Sequence, residues 1–439
     1  MTCFLWKRRL DRNSTGKNPD PKRVSLDMEL TIPTHFRCPI SLDLMKDPVS
    51  LSTGITYDRD SIERWLDSGH ARCPVTNQPL KTLDQIPNHA LRKMIQEWCV
   101  DNRSLGVERV PTPRVPISPQ EVSDICVEMR DATETQNDQK CRELVTKVKD
   151  SARESKRNRR CISSNGFGTA SAGAFEAFAR VSVEKHSVLL REILSVLAWA
   201  FPQDSEGFSK VGSADGLRCL VRFLGSGGLS ARRDAALVLN EALSEERLAE
   251  VEGAEEALIG AVKLRFCPQA TQACLVIVRR MLVWSRGRER EKGSGLLFVR
   301  MGLVPLLLDI IVEGNKGICE KALGVLDAVC DSEEGKESAR SDALTVPLVV
   351  KKILRVSELG TEFSVSILWK VVVGGNEGGV VEALELGAFQ KLLVVLQVGC
   401  SEGTKEKVTE LLKLMNAYRD KLDCFDSSMG FKFKQIKRP

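Results

Sequence analysis

From about residue 120 onward the chain repeats itself, and that recurrence constrains the fold more than any other feature. A glycine opens a short apolar segment at Gly166 (with Phe175 and Phe178), Gly216 (Leu217, Leu220, Val221, Leu224), Gly302 (Val304, Leu306, Leu307) and Gly387 (Phe389, Leu392, Leu393, Leu396). Residues 343–350 form a variant without the glycine, built on Val346, Pro347, Leu348 and Val349. The later copies recur at roughly forty residues, a period of stacked helical repeats. Between the openings lies a second, longer apolar helix in each copy, as at 234–239, 321–326 and 407–412. None of these helices can bury its apolar stripe alone, so the expectation is a mostly α chain whose residues 120–425 form an α-solenoid with one continuous core. The breaks at 202–215 and 285–295 are expected to project from it as loops.

The rest of the chain differs in texture. Residues 1–30 are polar, basic-leaning and without periodicity, which suits a disordered arm. Residues 31–105 carry short apolar groups separated by Pro, Gly, Asn and Asp, the pattern of a small loop-rich α+β module. Pro111, Pro113, Pro116 and Pro119 then point to a semi-rigid linker over 106–119, and residues 426–439 form a basic tail.

Charge and cysteine usage exclude several function classes. With 64 Lys+Arg against 59 Asp+Glu the net charge is only +5, so no one-signed surface for nucleic acid is implied. The apolar runs are broken by charge, Arg191 and Glu192 in one and Asp309 and Glu313 in another, and no transmembrane segment is expected. The 14 cysteines are scattered without paired spacing, as reduced and mostly buried thiols would be. A cytoplasmic and also nuclear location is therefore expected.

Chemistry concentrates between Ile32 and Cys99. Cys38-Pro39-Ile40-Ser41 precedes Asp47-Pro48-Val49, and Gly54 breaks the run before Ile55-Thr56-Tyr57. Asp58 or Asp60 can cap a helix from about Arg59 to Asp67, with Ile62, Trp65 and Leu66 on one face and Gly69 at its end. Cys73-Pro74-Val75-Thr76 follows, then Ile86-Pro87-Asn88, where Asn88 caps a second helix bearing Leu91, Ile95 and Trp98. His35, Cys38, His70, Cys73, His89 and Cys99 are the soft metal ligands, but no two cysteines have the close spacing of a tetrahedral zinc site. Cys38 reads as a packing residue next to Ile40, because a nucleophile needs a basic partner or a helix N-terminus and the sequence fixes neither.

In this order the motifs, from Cys38-Pro39-Ile40 to Ile86-Pro87-Asn88, resemble the U-box over about seventy residues. With the proline-rich segment and the repeats behind it, whose Asn158-Arg159 before Ile162 and Gly166 also resembles the armadillo consensus, the chain resembles the plant U-box/armadillo ubiquitin ligases. Many of these act in stress and immune signalling. The resemblance implies a zinc-free RING-like fold whose two loops are held by hydrogen bonds and ion pairs instead of a metal, with Ser41, Asp43, Asp47, Ser52, Thr56, Glu63 and Thr76 as candidates. It implies a shallow groove for a ubiquitin-conjugating enzyme, made by Ile40 and Leu42 in the first loop, Trp65 on the helix and Pro74 in the second loop. Cys38, Pro39, Asp47, Pro48, Gly54, Tyr57, Ile62, Cys73, Thr76, Pro87 and Asn88 would support it. The armadillo array would hold a protein substrate, and a homodimer is compatible with the family.

Such a ligase needs no catalytic residue of its own, no cofactor and no metal, since ubiquitin passes directly from the conjugating enzyme to a substrate lysine. One departure stands out: Asn77 occupies the place where some relatives set an Arg that holds the closed, reactive pose, and Arg72 is a candidate to compensate. The alternatives are a non-catalytic armadillo adaptor with a decayed U-box and, more remotely, a ligase with a ubiquitin-thiol intermediate.

Overall fold

The computed structural model describes residues 32–110, 116–202, 204–242, 247, 251–285, 294–373 and 377–429. The basic arm expected over 1–30, Pro111 and Pro113 of the linker, most of the break expected at 285–295 and most of the basic tail lie outside these. The chain divides into two compact units, one up to residue 115 and one from residue 116.

In the first unit β1 (Pro48–Ser50) lies between β2 (Thr56–Asp58) and β3 (Ile86–Pro87), antiparallel to both, with Val49 opposite Tyr57 and Pro87. Gly54 makes the β1–β2 turn at φ 80°, its N–H on the carbonyl of Leu51 at 2.8 Å, a conformation that a Cβ would strain. Helix α1 (Arg59–Asp67) follows β2 directly and ends before Gly69 at φ 84°. Asp58 stands at its N-cap position but makes no side-chain cap bond, contrary to the expectation, because its carboxylate is engaged elsewhere. Asn88 does cap α2 (His89–Asp101): Oδ1 accepts the N–H of Leu91 at 3.0 Å. Phe36, Val49, Tyr57, Ile62, Ile95 and Cys99 form the core. Val107 and Val110 pack on it too, although the sequence reading gives them to the linker, and Gln96 Nε2 donates to the Val110 carbonyl at 3.2 Å.

The second unit starts at Pro119, where Ser118 and Glu121 form a capping box ahead of helix Pro119–Glu134. One apolar cluster then runs from Val122 to Met415. The last helix of each repeat packs on its equivalents: Pro268–Ser285 on Lys316–Val329, and that on Glu358–Val372. Side chains tie the repeats laterally as well. Lys370 Nζ meets Asp327 at 2.6 Å and Asp331 at 2.7 Å, Trp369 Nε1 donates to Glu410 at 2.7 Å, and the Arg279 guanidinium lies 5.0 Å from the Phe363 ring. Asn158 is buried where it accepts the Ile117 N–H (3.1 Å) and donates to the Ser151 carbonyl (2.9 Å).

Gly166, Gly302 and Gly387 open helices as expected, each with a left-handed φ between 76° and 82°. Gly253 at φ 79° does the same for Ala254–Leu264, a copy the sequence reading misses. Gly216 does not. It lies inside Ala214–Ser226, whose cap is Ser213, and donates its N–H to Ser213 Oγ at 3.2 Å. A Cβ there would stand 2.4 Å from the Val211 carbonyl oxygen. The same device, a Ser or Asp cap three residues before a glycine, recurs at Asp204/Gly207 and Ser332/Gly335, where a Cβ would meet Pro202 Cβ at 2.5 Å and the Val329 oxygen at 2.0 Å. The expected loop at 202–215 is for this reason mostly helix, Ser205–Val211. Twelve described cysteines are free, nine of them buried, and among the described residues no helix is long and apolar enough to cross a membrane.

Gly335→Ala is expected to cost on the order of 3 kcal/mol, since the backbone of Val329 must move. Gly228→Ala, where a Cβ meets nothing within 4 Å, should leave stability almost unchanged. Thermal unfolding of the whole chain, followed by helical circular dichroism, compares the two.

Candidate functional site

The two Cys-Pro segments fold into loops of the same form. In the first, the Cys38 N–H donates to the Asp43 carbonyl (2.8 Å) and the Leu42 N–H to the Cys38 carbonyl (2.8 Å); in the second, Cys73 donates to Gln78 and Asn77 to Cys73, both at 2.9 Å. Each loop closes through one left-handed residue, Leu42 at φ 62° and Asn77 at φ 54°. Asn adopts this conformation readily and Leu does not.

Adjacent residues of β2 hold one loop each, because successive side chains of a strand point to opposite faces. The Asp58 carboxylate accepts the N–H groups of Lys46 (2.8 Å) and Asp47 (2.9 Å), just after the first loop, while the Asp58 N–H meets Cys38 Sγ at 3.3 Å. Tyr57 Oη lies 3.0 Å from Cys73 Sγ and accepts the Val75 N–H at 3.3 Å, so its own hydrogen is left for the sulfur. Thr53 Oγ1 donates to the same sulfur at 3.4 Å. Burial works to raise the Cys73 thiol, but the bonds from Thr53, Thr76 and Tyr57 outweigh it and bring the pKa down to about 6. Burial, reinforced by Cys73, pushes the Tyr57 hydroxyl well above its ordinary value, which keeps the proton on oxygen. At 1% exposure Cys73 is closed to reactants, so its low pKa expresses bonding.

A third tie crosses the fold. Asp47 pairs with Arg59 at 2.6 Å and with Arg92 of α2, and Arg59 also reaches Gln85 at 3.2 Å. The sequence reading misses both arginines and the bracing role of Asp58. Of the support candidates, Thr56 bonds Ser50 (2.8 Å) and Asn88 (3.3 Å), and Ser41 accepts weakly from the Asp43 N–H at 3.4 Å. Pro48, Cys38, Ile62 and Tyr57 are buried, Pro39, Thr76 and Pro87 exposed. Among the described residues no three His, Cys, Asp or Glu side chains are grouped to hold a metal ion.

Of the four residues expected to form the groove, Leu42 is 67% exposed, and Ile40, Trp65 and Pro74 are half-buried. Ile40 and Trp65 pack on the same core. Trp65 is fastened to the second loop: its Nε1–H donates to the Arg72 carbonyl at 2.8 Å, and Arg72 Nη1 donates to the Asn77 carbonyl at 3.0 Å. Val75, 54% exposed, occupies the place in the second loop that Ile40 has in the first, and the sequence reading does not include it.

Two loops braced by side chains on a small sheet and helix, ahead of a unit of stacked helical repeats, define the architecture of a U-box ubiquitin ligase. Residues 32–104 match the family model of the U-box domain, and residues 121–435 that of the plant U-box protein ARM repeat region. The chain is 44% identical to U-box domain-containing protein 21 of Arabidopsis thaliana, over 99% of both chains. It is 34% identical to E3 ubiquitin-protein ligase PUB23 of the same plant, over 89% of this chain and 94% of that one. A designed armadillo repeat protein superposes with a TM-score of 0.44 at 14% identity, over 55% of this chain and 99% of its own. The chain belongs to the plant U-box proteins with ARM repeats. Ubiquitin ligase activity goes with that membership.

Asp58→Ala is expected to speed amide exchange at Lys46 and Asp47 and Tyr57→Phe at Val75, each lowering stability by roughly 1 kcal/mol through the bonds lost. A strong zinc chelator should change neither exchange nor melting of the unmutated chain. Hydrogen exchange read by mass spectrometry, with thermal melting followed by circular dichroism, checks all three outcomes.

Proposed function

We propose that the groove formed by Ile40, Leu42, Trp65 and Pro74 binds a ubiquitin-loaded conjugating enzyme while the repeats hold a protein substrate. The observation that carries this reading is Leu42: a large apolar side chain, 67% exposed, on a strained backbone. Folding alone gains nothing from such an arrangement, and contiguous exposed apolar groups mark interaction sites. The substrate lysine amine attacks the thioester carbonyl, an isopeptide bond forms, and the carrier's thiolate leaves. The ligase contributes positioning and restricted motion of the thioester, an effect of proximity that requires no acid, base or nucleophile of its own.

The family's place in stress and immune signalling extends to this chain as part of the same proposal and rests on the resemblance. A cytoplasmic and nuclear location is supported by the twelve described cysteines, all of them free. A homodimer is carried forward on the family resemblance alone.

Trp65→Ala or Pro74→Ala should abolish autoubiquitination in a reconstituted assay with the circular dichroism spectrum unchanged. Full activity in both variants rejects the groove. Asn77→Arg should accelerate discharge of the carrier's thioester to free lysine severalfold by supplying the bidentate donor, at a cost of roughly 1 kcal/mol for a left-handed Arg. A discharge rate no higher than that of the unmutated chain would show that the Arg72 contact already serves.

A further inference from the structure

Trp65 is the groove residue with a polar edge, and a half-buried indole contributes to docking only if its plane is fixed. Its Nε1–H is held at 2.8 Å by the Arg72 carbonyl. That bond fixes one edge and the core meets part of the ring, which leaves the rest of the indole exposed. The imidazole of His70 stacks on its face, with centroids 4.1 Å apart and planes inclined by 19°.

The chain builds this stack deliberately. Helix α1 ends at Asp67, and Gly69, left-handed at φ 84°, donates its N–H to the Leu66 carbonyl at 3.0 Å and turns the chain back. A Cβ at Gly69 would meet no atom within 4 Å, so the glycine answers to backbone conformation and not to space. His70 Nδ1 then lies 3.1 Å from the carbonyl of Trp65 itself. A carbonyl only accepts, so Nδ1 carries the hydrogen, and the imidazole is fixed by the backbone of the residue whose ring it covers.

His70 is exposed and is absent from the core, so its ring does not serve burial. Both loops need their own braces, and none of those bonds includes His70. We infer that His70 is a positioning residue for the conjugating-enzyme groove, acting through Trp65 by holding the indole plane in the pose that the carrier meets. The inference rests on the groove reading above and adds to it a residue that makes the groove rigid before binding. Ordering a side chain in advance removes that cost from association.

The test uses the full chain and a recombinant ubiquitin-conjugating enzyme that supports its autoubiquitination, with Kd measured by calorimetry. Immobilising one side chain on association costs enough for about a three- to tenfold effect. His70→Ala and His70→Gln are expected to raise Kd by about three- to tenfold with the circular dichroism spectrum unchanged, and His70→Tyr, which restores a stacking ring, to return it to near the original value. The rate of ubiquitin discharge at saturating carrier should be unaltered, so that only KM for the carrier moves.

If Trp65→Ala abolishes binding while His70→Ala and His70→Gln bind as the unmutated chain does, this inference falls and the groove stands. If Trp65→Ala binds normally, both fall. A loss in His70→Ala that His70→Tyr fails to restore assigns the effect to something other than the stacked ring and also overturns the inference.

Discussion

The U-box depends on one strand having two faces. Tyr57 and Asp58 are neighbours in β2, and the pleat sends their side chains in opposite directions, one to each loop. Asp58 takes two backbone N–H groups just after the first loop, and Tyr57 joins a sulfur and an N–H of the second. In a RING the equivalent work falls to metal ions, whose bonds are strong and few. Here it is divided among several bonds of about 1 kcal/mol net each, whose loss exposes a larger desolvation cost. Such a brace is cooperative in a practical sense: a loop that loses one bond strands other donors.

The Asp47 ion pairs add a constraint of a different kind. Arg59 sits at the start of α1 and Arg92 in the first turns of α2, so a single carboxylate fixes both helices against the start of β1. Paired, partly buried charges of this sort hold geometry more than they add stability, because desolvation offsets most of the Coulomb gain. The repeats solve the analogous problem through backbone proximity. Where a helix begins hard against the carbonyl ending its predecessor, only glycine fits at the third position, and a Ser or Asp cap supplies the bond that the helix start lacks.

Much of this was legible in sequence because it is local. The period of the repeats, the left-handed glycines at 166, 302 and 387, the turn at Gly54 and the Asn88 cap all follow from short-range rules. Asp58 shows where such rules stop. Read locally it is a helix cap, but two N–H groups 11 and 12 residues back in the chain compete for the same oxygen and win. Arg92 lies 45 residues from Asp47, and no periodicity connects them. Gly216 reads as an opener because it precedes an apolar run, whereas its identity is set by the Val211 carbonyl, a contact that exists only once the helices are packed.

The comparison of the two loops argues about function from strain. Leu42 and Asn77 hold the same left-handed place in loops of the same form. Asn77 is at ease there, and its exposed amide is at home in water. Leu42 carries both a conformational cost and an exposed apolar side chain, two debits that a single change to Asn or Gly would remove without touching any brace. Strain kept at one of two equivalent positions is not explained by the loop's closure, since the other loop closes without it. The difference between them therefore falls to the proposed docking role of the first loop, with the Trp65 indole packing on the core and bonding to the second loop.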